Sequence, residues 1–149
     1  KVGELLMMIT EIESAIVDKL KIDIQDLAVE PFPDNVKDYE LLHPKGAVLV
    51  SYEGSNYTNP RIEQQARMLE FDVIVIVRNL RSHLGAYETL DRVRQSLTND
   101  IFIENMKLYP ISEKFLFVED DKWHYEIRFM LPTVYFLEFD TKNSQVRDI

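Results

Sequence analysis

The residues of this chain that could do chemistry are few and scattered. His43, His83 and His124 are its three histidines, and none has a second ligand three or four positions away or an His-Glu-x-x-His pattern, the spacings that put two donors on one metal. Asp120 and Asp121 could be carboxylate ligands, and Asp121 with Glu126 and Arg128 has the outline of a nuclease's acidic strand. That chemistry also needs a lysine beside the second acid and a further acid upstream, and neither is evident. A solvated hairpin turn accounts for the same residues. Gly54 and Gly85 are isolated, so no glycine-rich loop cradles a phosphate. Ser51, Ser55 and Ser82 lack a nucleophile-elbow context. Trp123 and Tyr125 could stack on bases or sugars, but alternation along their segment places them more simply in a core. No catalytic set, metal site or cofactor site is therefore expected, and the chain does not read as an enzyme.

Composition narrows the classes further. A chain of 149 residues suits one domain spanning 1–149, with a single core. With no cysteine, disulfides, thiolate nucleophiles and sulfur-ligated metals are excluded. The net charge of −9 and a pI near 4.8 argue against specific nucleic-acid binding, which relies on clustered Lys and Arg to displace counterions. Here the arginines are dispersed. Apolar runs such as Phe71 to Val77 fall short of the roughly 20 residues that span a bilayer, and the first residues lack the pattern of a signal peptide. The expectation is a soluble, intracellular protein with no membrane partner.

Stepping along the chain, Leu5, Met8, Ile9, Ile12, Ile16 and Leu20 recur at helical spacing, with a capping box expected at Thr10 and Glu13. Asp26 to Phe32 alternates weakly and carries Pro31 and Pro33, which suits an edge strand open to pairing. Pro44 to Gly46 marks a turn before a strand at Ala47 to Tyr52, and Glu53 to Pro60 reads as a loop. In Arg67 to Leu80, Phe71, Val73, Val75 and Val77 share one face while Ile74 and Ile76 make the other apolar as well, the mark of a central strand. Ala86, Leu90, Val93 and Leu97 give a second helix its stripe. Ser112 to Val118, an acidic turn at Glu119 to Lys122, and alternation from Trp123 to Leu131 predict a hairpin whose ladder Pro132 interrupts. Val134 to Phe139 is then either another strand or a docking segment. The architecture expected is α+β in two layers: a mixed or antiparallel β-sheet of four to five strands with two main α-helices packed on one face.

Strings from these elements also resemble a known family. ITEIESAIVDKLK, HPKGAVLVSYEGSNY, RMLEFDVIVIVRNLRSHLGAYETLDRVRQSLT, KLYPISEKFL and WHYEI are similar, in the same order, to the minor tail protein family of Mu-like phages and prophages, whose genes lie just before those of the tail sheath and tube. The resemblance spans most of the chain, from about Ile9 to Ile127. Its size, gene position and order of elements look like those of tail terminators. It thus implies a structural virion protein that assembles as a homo-oligomeric, hexameric ring, caps the tail tube, stops its polymerisation and meets the head connector. Self, tube, possibly sheath, and head connector are the partners implied. The locations implied are the host cytoplasm during assembly and then the virion tail. A monomeric tail or baseplate adaptor is the alternative, and a nuclease-like enzyme a remote one.

Within that frame the candidate contact residues are Tyr52, Glu53, Ser55, Asn56 and Tyr57, with the two tyrosines as amphipathic anchors. Arg78, Arg81 and His83, just beyond the central strand, could form ion pairs with an acidic neighbour. The edge strand 26–32 and the apolar segment 134–139, with Val134, Tyr135 and Phe136, are plausible halves of a heterologous interface.

Overall fold

The computed structural model describes residues 8–35, 45–58, 64–82, 85–99 and 106–136. The first helix, α1, runs Ile9–Asp23. Its start lies two residues earlier than the Thr10/Glu13 box would put it, because the Met8 N–H donates to Glu11 Oε1 at 2.7 Å and so finds a partner already at that position. Ile12, Ile16 and Leu20 form its buried stripe. The helix closes where the Ile24 N–H donates to the Leu20 carbonyl.

Five strands follow in one mixed sheet: β1 Ala28–Pro31, β2 Gly46–Tyr57, β3 Gln64–Val77, β4 Tyr109–Glu119 and β5 Lys122–Phe136, with α2 at Ala86–Thr98 between β3 and β4. The order across the sheet is β1-β2-β3-β5-β4. β1 lies parallel to β2, and every other pairing is antiparallel. The α+β reading therefore holds, with β3 in the middle as its two apolar faces require. α1 lies against β1 and β2, and α2 against β3, β4 and β5. Between helices and sheet sit Val48, Val50, Phe71, Val73, Val75, Ile127 and Phe129. Phe71 and Phe129 are fully buried, and each contributes roughly 1.5–3 kcal/mol by leaving water.

Several boundaries differ from the sequence expectation. β2 does not end at Tyr52: it continues to Tyr57, so Glu53 to Tyr57 are strand and not loop. A bulge between Tyr52 and Gly54, with Gly54 at φ 138°, absorbs the turn signal without ending the pairing. Pro132 does not interrupt β5. It pairs opposite Met68 on β3, and β4 reaches only as far as Met130, so beyond that point β5 has one described neighbour and tolerates a residue without an N–H. Val134 to Phe136 are thus the end of β5, opposite Ala66 to Gln64, while 137–139 lie outside the described residues. The β4–β5 turn is the pair Asp120 and Asp121 at φ 51° and 61°, the signature of a type I′ hairpin.

β1 is an edge strand, as expected, with few donors on its outward side. Phe32 N–H donates to Val50 O, so by strand alternation residues 31 and 33 face away from β2. Both are proline, and neither can donate to an incoming strand.

Candidate interaction surfaces

Beyond Leu69 the sheet leaves the cover of its helices. In β2 from Ser51 onward and in β3 before Leu69 no residue is buried, and Thr133 is the last buried residue described in β5. This three-stranded arm carries most of the contact residues named from the sequence. Tyr52 packs on Phe71 with ring centroids 5.3 Å apart and shares a 2.6 Å hydrogen bond with Ser55 Oγ. Asn56 Nδ2 donates to Glu70 at 3.0 Å. Tyr57 meets Tyr135 of β5 edge-on at 5.7 Å, and both rings are about half exposed. Two segments far apart in the chain, and named separately in the sequence, therefore form one tip.

Arg67 joins them and was not singled out in the sequence. Its guanidinium lies over the Tyr57 ring, 5.5 Å from the centroid, and its Nε donates to Ser55 Oγ at 3.3 Å. Only the β2–β3 register, which sets Tyr57 opposite Arg67, carries that signal. The arm is held by its own bonds as well: Thr58 N–H donates to Ala66 O, and Ala66 N–H donates to Thr58 Oγ1. Cation, aromatic rings and hydroxyls make this tip a place for amphipathic contact and not for bond-making.

Arg78 and Arg81 stand at the other end of β3. The eleven residues from Arg67 to Arg78 span roughly 36 Å as a strand, so these two groups cannot form a single patch. Arg81 lies over the Tyr87 ring, 5.6 Å from the centroid. Tyr87 in turn meets Tyr125 edge-on at 6.3 Å, and Phe115 of β4 packs against both Trp123 and Tyr125. Trp123 and Tyr125 thus belong to the core margin, and burial raises the Tyr125 hydroxyl above its usual pKa. His83 lies outside the described residues.

On the sheet face opposite the helices, Arg128 of β5 gathers carboxylates from β2 and β3 at the root of the arm. It donates to Asp72 through Nε at 2.6 Å and Nη2 at 3.0 Å, with Glu53 at 3.7 Å and Glu70 at 3.6 Å. The Asp72 bonds come first in holding Arg128 more firmly protonated than usual. Glu126, next along β5, is pushed above the ordinary carboxylate range, first by burial and then by Asp72; Lys114 approaches it at 3.8 Å. His124 stacks on Phe117 at 4.0 Å. Its Nδ1 lies 3.0 Å from the Lys122 carbonyl, which selects the Nδ1–H tautomer, and burial favours the neutral ring. Asp120 and Asp121 sit apart in the exposed turn. Among the described residues, no group of three or more His, Asp or Glu is placed to hold a metal, and no helix is long and apolar enough to cross a membrane.

The pattern of the Gp37 protein family matches residues 16–147. The chain belongs to the Gp37 family. No curated protein matches this Gp37-family chain. Among solved structures, a chain from "Virion of native gene transfer agent (GTA) particle" superposes with a TM-score of 0.57 at 15% identity, over 83% of this chain and 94% of that one. At that identity the likeness is one of fold.

Proposed function

We propose that this Gp37-family chain is a structural protein of a phage-like virion. In the finer reading it is a tail terminator that caps the tail tube as a homo-oligomeric ring, stops polymerisation and offers the surface on which the head is joined. The observation that carries the reading is the shared fold: this chain covers 94% of a chain from a gene-transfer-agent virion. The surfaces support it. Exposed tyrosines on a sheet arm, with an arginine over one ring, make a contact surface whose aromatic bodies lose water on docking while their hydroxyls stay hydrogen-bonded.

In this reading the chain acts as one domain, and six copies close the ring. Tyr52, Glu53, Ser55, Asn56 and Tyr57, with Val134, Tyr135 and Phe136, meet a neighbouring copy or the tube end. Arg78 and Arg81, at the other end of β3, face an acidic partner, and His83 is assigned to the same contact from the sequence. Tube, sheath and head connector are the further partners, met first in the host cytoplasm and then within the tail. Electron microscopy of particles from the encoding element with this gene deleted tests the proposal. Overlong or ragged tubes without joined heads are expected. Tails of normal length with a normal upper end would overturn the terminator reading and leave a monomeric adaptor in its place.

A further inference from the structure

Apart from Met8 and Ile22 on α1, the exposed large apolar side chains among the described residues fall into two groups. One is the edge strand β4 with its neighbour Tyr87; the other is the Tyr57–Tyr135 tip of the arm. We propose that these are the two halves of one contact, the β4 edge of one copy lying against the arm tip of the next. The inference rests on the ring reading above and names the surface that reading requires. A closing heterologous contact needs two different patches on the same chain, and this chain has two.

β4 is unusual for an edge strand. Sheet edges are ordinarily short, charged or covered. This one is 11 residues long and exposed along nearly its whole length. Tyr109, Ile111, Phe115, Phe117 and Val118 are each 45–49% exposed. They stand on both faces of the strand, Phe115 and Val118 beside Tyr125 and Trp123, and Phe117 beside His124 on the opposite face, so their exposed surface, with roughly 150–250 Å² for each whole aromatic side chain, comes to about 400 Å² in all and flanks the edge from both sides. That is about half of the roughly 800 Å² that each partner contributes to a stable complex, and the flanking backbone ladder can supply the rest.

Charge favours a second copy as the occupant. Between Tyr109 and Val118 the only charged residues are Glu113 and Lys114, a neutral strip on a chain of net charge −9 whose copies otherwise repel. Glu119, Asp120 and Asp121 at its turn are opposite in sign to Arg67 on the arm. The other sheet edge is the poorer partner strand, because β1 has only four residues and presents Pro31 and Pro33 outward.

The test is sedimentation velocity on the full chain with two double variants, Ile111→Lys/Val118→Lys on β4 and Tyr57→Lys/Tyr135→Lys on the arm, each checked for an unchanged melting curve. The wild type is expected to sediment as a closed oligomer and each variant alone as a monomer. An equimolar mixture should form a two-subunit species, since one intact β4 and one intact arm remain. A variant that keeps the wild-type mass, or a mixture that stays monomeric, would overturn the pairing of these patches while leaving the ring reading standing. A wild type monomeric at every concentration would overturn the self-contact; the tail-deletion phenotype then decides the ring reading separately. If the β4 variant melts lower, Phe117→Lys takes its place under the same criteria.

Discussion

Replacing Arg128 by Met probes the joint on which the arm is built. The Asp72 side chain is only 5% exposed and accepts two bonds from Arg128, so removing the guanidinium leaves a buried carboxylate without its main donors. Glu126, with its side chain 10% exposed, loses the same positive neighbour. Breaking a buried ion pair from one side costs about 3–5 kcal/mol. For a chain of this size, that converts to a fall in melting temperature of roughly 6–20 °C at neutral pH. Urea unfolding and calorimetry at pH 7 read it directly. The double variant Asp72→Leu/Arg128→Met removes both charges and should recover most of the loss, since an apolar pair of similar volume does not carry the desolvation penalty. A single-variant loss below about 1 kcal/mol, or a double variant as unstable as the sum of the two singles, would refute the reasoning that burial sets the cost.

Three further outcomes follow from the same structure. Glu126, whose folded pKa is raised above the usual 4.5, costs stability once ionised: the penalty is absent below that usual value and grows as pH rises through the folded pKa. Glu126→Gln should therefore melt higher than wild type at pH 8, and the gain should vanish by pH 4 in a melting series. Gly46→Ala should destabilise by more than about 2 kcal/mol in urea unfolding, because the position holds φ 149° and a Cβ would run into Ile76 O and the Val77 side chain. Asp26, held below its usual 3.8 mainly by its bond to Arg92, supports folding above that value and loses the support as pH falls through its folded pKa. Asp26→Asn should cost about 0.5–1 kcal/mol at pH 7, with the difference from wild type closing in acid.

The parts of this fold that local chemistry dictates were legible in the chain itself. β3 alternates Phe71, Val73, Val75 and Val77 against Ile74 and Ile76, and a strand with two apolar faces has nowhere to go but the middle of a sheet. The stripes of α1 and α2, and the alternation from Trp123 to Leu131, assigned the helix-facing side of the sheet for the same reason. Where elements end is a different matter, because a strand persists as long as its neighbour does. β2 runs through Gly54 to Tyr57 because β3 keeps offering partners there, and β5 passes Pro132 because β4 has already stopped. Register, which no residue carries alone, placed Arg67 opposite Tyr57 and parted Arg78 and Arg81 from that tip by most of the length of β3. The prolines at the end of β1 were visible from the start, but only the bond from Phe32 to Val50 decided that they face outward. The hairpin of β4 and β5 was read from its alternation, but strand order alone put the apolar residues of β4 on the rim, since a last strand has no further neighbour to cover it.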